Sequence, residues 1–268
     1  MAELDKAFAG AIPALYDRYL GPLIFQPYAR DLAGRLAGIE GRILETARGT
    51  GIVTCALVQT LPASVELVAT DLNQPMLDHA ARKLDAPQVT WRQANAMNLP
   101  FESTAFDAVV CQFGVMFFPD KPAGFAEARR VLRPGGRFLF SVWDRIEENE
   151  ITAVVNAAVA AAFPDDPPAF MARTPHGYHD RERIRDELRA AGFTGIEVET
   201  VTLRSRAASP VDPATGFCQG TPMRLEIEAR DASRLDEVTA LAAKAVARHF
   251  GDGPIDGKSQ AHVVTAIA

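Results

Sequence analysis

The sequence predicts an α/β fold built on a parallel sheet with helices on both faces, and three observations predict it. Strand-like and helix-like segments alternate from residue 42 to Trp143. Within that alternation, Ile43–Gly51 (Ile-Leu-Glu-Thr-Ala-Arg-Gly-Thr-Gly) leads a strand into a small-residue loop and out into an apolar helix from Ile52. Phe106–Gly114 is a near-continuous apolar run, the pattern of a strand buried on both faces.

Each element follows in turn. Residues 12–38 carry apolar residues at helical spacing and read as two helices broken at Gly21-Pro22. Arg42–Leu44 is a strand that ends in Glu45, and glycines at 49 and 51 let the backbone approach a ligand at a helix N-terminus. Val65–Asp71 is a short strand tipped by an acid, 22 residues after Gly49. A helix starts near Gln74-Pro75, capped by Asp71 or, better, by Asn73. The third strand starts at Val89 and ends in Ala94-Asn95-Ala96. From Val131 to Phe140 a helix end, a Pro-Gly-Gly turn and a new strand follow one another. Residues 150–163 read as a helix, Asp180 caps another over 181–191 with Gly192 as its stop, and Thr194–Leu203 alternates like a strand. Residues 207–258 read as two or three helices, and His262–Ala268 as a closing strand.

Composition narrows the function. With 48% hydrophobic and 23% charged residues the chain is ordinary for a soluble globular protein. A net charge of −6 argues against a nucleic-acid substrate, whose backbone calls for a basic patch. Three scattered cysteines without a Cys-x-x-Cys pair fit a reducing cytoplasm and offer no metal site. The first residues carry no signal-like apolar stretch, and the longest helical apolar run, Ala153–Phe163, is too short to span a bilayer. A cytoplasmic protein without stable membrane insertion is expected.

The chemistry-bearing residues sit at strand ends. A carboxylate at Asp71 can accept two hydrogen bonds from a ribose diol. Gly49-x-Gly51-x-x-Thr54 followed by Asp71 also approximates a nicotinamide-dinucleotide pattern, with Thr54 in the third glycine position. His176 and His179 lie in a turn-rich segment, Thr174–Asp180, and are candidates for a general base; the alternative is that they shape the following helix start. Phe113, Met116, Phe117 and Phe118 form an aromatic and thioether cluster, as core or as the wall of an apolar pocket.

Five motifs in order and at these spacings, over about residues 40–145, resemble the class I S-adenosylmethionine (SAM)-dependent methyltransferases. More narrowly they resemble the small-molecule group that includes the ubiquinone and menaquinone C-methyltransferases. The resemblance implies a doubly wound, Rossmann-like seven-stranded sheet with an antiparallel last strand. It implies SAM as cofactor and S-adenosylhomocysteine as product. It places cofactor contacts on Glu45, Ala47, Gly49 and Gly51, on Asp71, Leu72 and Met76, on Asn95 and Ala96, and on Gln112. Tyr16, in an N-terminal segment that folds over the cofactor in relatives, joins them.

Two features depart from the family. Ala47-Arg48-Gly49 stands where Gly-Cys-Gly is usual, and Ala47 is inexpensive if its backbone is not left-handed. Arg48 either reaches an anionic group of the ligand or turns away toward Glu45 or another carboxylate. Asn95 replaces an Asp, and its amide oxygen can still accept the adenine amino group. The expected organisation is a single domain over 1–268: a helical cap (1–40), a cofactor core (41–145), a helical lid (207–258) and a closing strand (259–268). The expected activity is methyl transfer to a small apolar or aromatic metabolite by in-line displacement. An NAD(P)-dependent oxidoreductase and a non-catalytic SAM-binding protein are the alternatives. A small-molecule acceptor is the expected partner, and homodimerisation is left open.

Overall fold

The computed structural model describes residues 10–268. Residues 1–9, and with them the beginning of the expected 1–40 cap, lie outside the described residues. Seven strands, β1 (Arg42–Glu45), β2 (Glu66–Asp71), β3 (Val89–Gln93), β4 (Phe106–Gln112), β5 (Leu132–Trp143), β6 (Thr194–Ala207) and β7 (Ile255–Ile267), form one sheet in the order β3-β2-β1-β4-β5-β7-β6. β1 to β5 are parallel, and β7 runs antiparallel to β5, as expected. The helices are α1 (Ile12–Leu15), α2 (Gln26–Arg35), α3 (Ile52–Thr60), α4 (Gln74–Ala81), α5 (Lys121–Val131), α6 (Glu150–Ala162), α7 (Phe170–Arg173), α8 (Arg181–Ala190), α9 (Val211–Gln219), α10 (Met223–Asp231) and α11 (Leu235–Phe250).

The chain divides into two compact units. The first comprises Ala29–Trp143, Tyr178–Val201 and Ala261–Ala268. Here Leu32 of α2, Leu36 just after it and Leu57 of α3 form one buried cluster with Ile43, Leu67, Val110 and Leu139 of the strands. Alternation along β5 sends Phe138 and Phe140 to the other face. There Phe125 of α5 meets both rings and Phe193 stacks on Phe138 at 5.6 Å. The second unit comprises the segment ending at Tyr28 together with Asp144–Gly177 and Thr202–Gln260. In it α11 packs on α6 and α9, burying Val155, Val159, Phe217, Val238, Ala242 and Val246.

Four local expectations are corrected. The chain does not break at Gly21-Pro22: Tyr16–Phe25 continues as a wide helix, with the Gln26 N–H donating to the Gly21 carbonyl. That i to i+5 spacing accommodates Pro22, which has no N–H to give and would crowd a tighter turn. The Pro-Gly-Gly turn does not precede a strand but bulges within one, since Leu132 pairs with Phe106 and the next pair is Ala108 with Arg137. Gly135 makes that bulge at a φ of 79° and donates to the carbonyl of Ala268. Asn73 occupies the cap position of α4 but makes no side-chain cap bond; its own N–H goes to Asp71. The closing strand begins at Ile255 rather than near 259, and β6 runs on to Ala207, so the helical excursion is shorter than 207–258.

Candidate cofactor site

The sheet order places β1 between β2 and β4, so chain direction across the sheet reverses there. Ligands of open α/β sheets bind at the carboxyl ends of strands at such a switch point. The loop that leaves β1 is anchored on both sides. The Thr46 N–H donates to the Val110 carbonyl of β4, and the Arg48 N–H to the Thr70 carbonyl of β2. The turn then closes with the Gly51 N–H donating to the Arg48 carbonyl.

Three consecutive odd positions of this loop are left-handed: Ala47 (φ 49°), Gly49 (φ 59°) and Gly51 (φ 83°). The condition under which Ala47 would be inexpensive is not met, and the alanine carries a strain of about 1–2 kcal/mol. The glycines differ in use. A Cβ on Gly51 would lie 2.8 Å from the Ala80 Cβ, whereas one on Gly49 would meet nothing within 4 Å. Gly49 thus faces open space, as a loop that admits a ligand requires.

Asp71 is 6% exposed at the tip of β2. One carboxylate oxygen accepts the Gly49 N–H at 2.8 Å and the other accepts the Asn73 N–H at 2.8 Å. It ties the loop after β1 to the turn before α4, and each oxygen keeps a lone pair for a diol. Burial pushes the Asp71 carboxyl above its ordinary range, opposed by those two N–H bonds and then by the charge of Arg48. Glu45 is fully enclosed; burial pushes its carboxyl up to about 7, against the hydroxyl of Thr54, which donates to it at 2.7 Å. Its second oxygen has no hydrogen-bond partner among the described residues.

Arg48 turns away from the open side of the loop. Its guanidinium donates to the Met76 carbonyl at 3.1 Å and lies 4.2 Å from the centre of the Trp91 ring. Met76 itself is buried on α4, while Leu72 is 47% exposed. Asn95 forms a local turn, its amide oxygen accepting the Met97 N–H at 3.0 Å. Gln112, at the end of β4, is half-buried beside Ser141 of β5. All of these residues but Tyr16 belong to the sheet unit. Tyr16 lies in the other unit, stacked on Phe25 at 4.6 Å.

The two histidines also separate. His176 is buried in the second unit with Nδ1 2.7 Å from the Asp144 carbonyl oxygen. A carbonyl can only accept, so Nδ1 holds a proton toward it. His179 is half-buried in the sheet unit, next to Asp180, which caps α8 through the N–H groups of Glu182 and Arg183.

One feature of this crevice was not anticipated from the sequence. Phe113, just past β4, is left-handed at a φ of 51° and stacks flat on Trp143 at 3.7 Å with 6° between the rings. Gly114 follows, where a Cβ would lie 2.4 Å from the Ala47 Cβ and 2.7 Å from the Cys111 sulfur. The ends of β1 and β4 thus touch through Ala47 and Gly114, and each carries a strained non-glycine residue. Such strain concentrates at ligand sites. A glycine directly after an aromatic residue at a strand end was its only sequence signal.

The comparisons with known proteins agree with this geometry. Residues 44–140 match the family model described as a methyltransferase domain. The chain is 32% identical to the demethylmenaquinone methyltransferase of Deinococcus radiodurans, over 71% of this chain and 84% of that one. It is 27% identical to a ubiquinone/menaquinone biosynthesis C-methyltransferase of Rhizobium leguminosarum, over 60% and 67% of the two chains. Among solved structures, the YcgJ protein of Bacillus subtilis shares the fold with a TM-score of 0.57 at 20% identity, over 90% of this chain and 98% of that one. The nicotinamide alternative gives way: in its third glycine position stands Thr54, committed to Glu45. The chain belongs to the class I methyltransferases that use S-adenosylmethionine, in the group of the ubiquinone and menaquinone C-methyltransferases, and it is an enzyme of that class.

Proposed function

We propose that the enzyme moves the methyl group of SAM to a small, flat, apolar acceptor of the phenol or quinol kind, and that both units serve one methyltransferase domain. The observation that carries the acceptor class is the apolar lining past β4: Phe113 stacked on Trp143, followed by Val115, Met116 and Phe118, all buried. Aromatic faces and a thioether favour a flat apolar ligand over a charged one. The names of the relatives support the same class.

The proposed residue roles rest on the resemblance to the family, supported by the placement of these residues at the strand ends. Asp71 accepts the ribose hydroxyls, the loop Ala47–Gly51 admits the methionine part, and Leu72 with Asn95 and Ala96 receives the adenine. Gln112 lines the crevice at the end of β4, Glu45 and Met76 support it from within, and Tyr16 is a further candidate for cofactor contact on the strength of the resemblance. When bound, SAM supplies an activated methyl with a neutral thioether as leaving group. The protein's part is alignment and the exclusion of water, which can lower a barrier by about 7–11 kcal/mol. As the carbon–sulfur bond breaks, its electron pair stays on sulfur, and the acceptor's electron pair makes the new bond. A ring-carbon acceptor then sheds one proton. His176 is the proposed base, with Nε2 as the accepting atom, and His179 is the second candidate; a base adds about 10²–10⁴-fold.

An acceptor panel of phenols, quinols, thiols and amines, with S-adenosylhomocysteine release and product mass as readouts, tests this reading. Methylated phenols or quinols are expected. Product from thiols or amines alone would overturn the acceptor class.

A further inference from the structure

We propose that Lys121 is a positioning residue that sets acceptor specificity: its ammonium clamps the turn after β4 against Tyr178 and so fixes the wall that the acceptor meets. This rests on the crevice proposed above, with Val115, Met116 and Phe118 in its wall, and not on the chemistry of the acceptor.

The wall is a short piece of chain with few bonds of its own. Val115–Phe117 makes a single tight helical turn. The Phe117 N–H donates to the Gly114 carbonyl and the Phe118 N–H to the Val115 carbonyl. The last carbonyls of a helical turn lack partners within it, and a nearby lysine can supply one. Lys121 opens α5, and its side chain reaches back over the turn. Its Nζ donates to the Phe118 carbonyl at 3.1 Å and to the Met116 carbonyl at 3.3 Å. One cation thus holds two wall residues by their backbone.

The clamp is closed from the other side. The ammonium lies 4.7 Å from the centre of the Tyr178 ring, within reach of its negative face. Tyr178 is 3% exposed, and its hydroxyl donates to Glu187 of α8 at 2.5 Å. Glu187 also accepts Nε of Arg183 at 2.8 Å, so the ring against the lysine is tied down at its far end. A second contact acts on the wall's side chains. A Cβ on Gly124 of α5 would lie 2.6 Å from Cδ2 and 2.9 Å from Cε2 of Phe118. Glycine inside a helix is unfavourable, and the Phe118 ring accounts for it here by taking the room. The backbone and the ring of Phe118 are therefore both seated on α5. A lysine that served only solubility would carry its ammonium into water. Lys121 is half-buried and turns its donors inward. All of these groups belong to the sheet unit.

The test is steady-state methyl transfer by the full chain with one slender and one bulky acceptor from the panel, with SAM affinity measured in parallel by calorimetry. Wild type is compared with Lys121→Met, which keeps the stem and loses the donors and the charge, and with Lys121→Arg. In Lys121→Met the KM for the slender acceptor should rise by about tenfold, the worth of one hydrogen bond from a charged donor. SAM affinity should stay within about twofold, as expected for a loss confined to acceptor binding. The ratio of kcat/KM between the two acceptors should shift toward the bulky one, because a loosened wall admits more. Lys121→Arg, which keeps a cation and its donors, should recover most of both effects. Should Lys121→Met not fold, Gly124→Ala carries the same expectation, since its methyl displaces the Phe118 ring and leaves the lysine in place. An unchanged KM and ratio, a loss of SAM affinity that matches the rise in KM, or an arginine variant as impaired as the methionine one overturns the proposal and leaves the acceptor class standing. A wild type that methylates only thiols or amines overturns the acceptor class, and the same comparison on those acceptors decides the role of Lys121. A wild type that gives no product from any acceptor overturns both.

Discussion

The crevice at the carboxyl ends of β1, β2 and β4 and the helices α9 to α11 are built by different rules. In the crevice, charged side chains are buried: Glu45, Arg48 and Asp71 are each no more than 6% exposed. Arg48 and Asp71 bond backbone groups, Glu45 accepts the Thr54 hydroxyl, and two non-glycine residues of the crevice, Ala47 and Phe113, are left-handed. In α9 to α11 the buried side chains are mostly apolar, among them Phe217, Met223, Ile227, Val238 and Val246, and no charged one is buried. Their charges form surface pairs such as Arg224 with Glu228 and Arg234 with Glu237. Desolvated charge and backbone strain both cost stability, so their concentration in one place marks where the chain spends stability on binding. The helices show the opposite economy, in which apolar burial stabilises and ion pairs add little.

The contrast is broken most severely at Asp71. Asp71→Ala strands two backbone N–H groups and removes the diol acceptor, and hydrogen bonds to a charged group are worth about 1.5–3 kcal/mol each. SAM affinity should fall by about 100-fold or more by calorimetry. Retention of affinity within a few fold would remove Asp71 from the site.

Next in size is Glu45. Its carboxyl is raised from 4.5 to about 7, so the folded protein binds a proton there over a range in which the unfolded chain does not. Stability of the ligand-free protein contributed by this group is therefore present at acidic pH and lost as pH rises from 4.5 to about 7. The loss at the upper end is on the order of 3 kcal/mol. Glu45→Gln should flatten that dependence, read as the pH dependence of its melting temperature against wild type. Parallel curves would show that Glu45 is not a buried titrating group.

Gly114→Ala probes the contact between strand ends. Its methyl must displace Ala47 or Cys111, and overpacking of this kind costs about 1–3 kcal/mol. A lowered melting temperature together with weaker SAM binding is expected, because Ala47, the nearer of the two, belongs to the loop. Lost stability with unchanged binding would confine Gly114 to packing.

The smallest effect belongs to the helices. Arg224→Ala in α10 removes a partly exposed pair and should change stability by about 0.5 kcal/mol or less, with no change in SAM binding. A larger loss of binding there would erase the distinction between the two regions.

Local chemistry explains what could be read in advance. The alternation of apolar runs, the glycines at 49 and 51, the acid at 71 and the capping Asp180 act within a few residues of themselves, and they gave the sheet, its switch point and the loop. The wide turn at Pro22 and the bulge at Gly135 escaped notice because Gly and Pro announce a break without saying whether the neighbouring element absorbs it. In both places tertiary packing absorbed it.

The sequence by itself determined the doubly wound sheet, the family and the cofactor, since each rests on residue types repeated at fixed spacing along the chain. Only the tertiary structure decided where Arg48 points, that Ala47 and Phe113 are left-handed, and that Gly114 is the contact between two strand ends. It also fixed the proton on Nδ1 of His176, through a carbonyl 32 residues away. A side chain's direction, a residue's backbone strain and the place of a ring's proton depend on neighbours brought close by folding, and those neighbours lie too far along the chain for any local pattern to carry them.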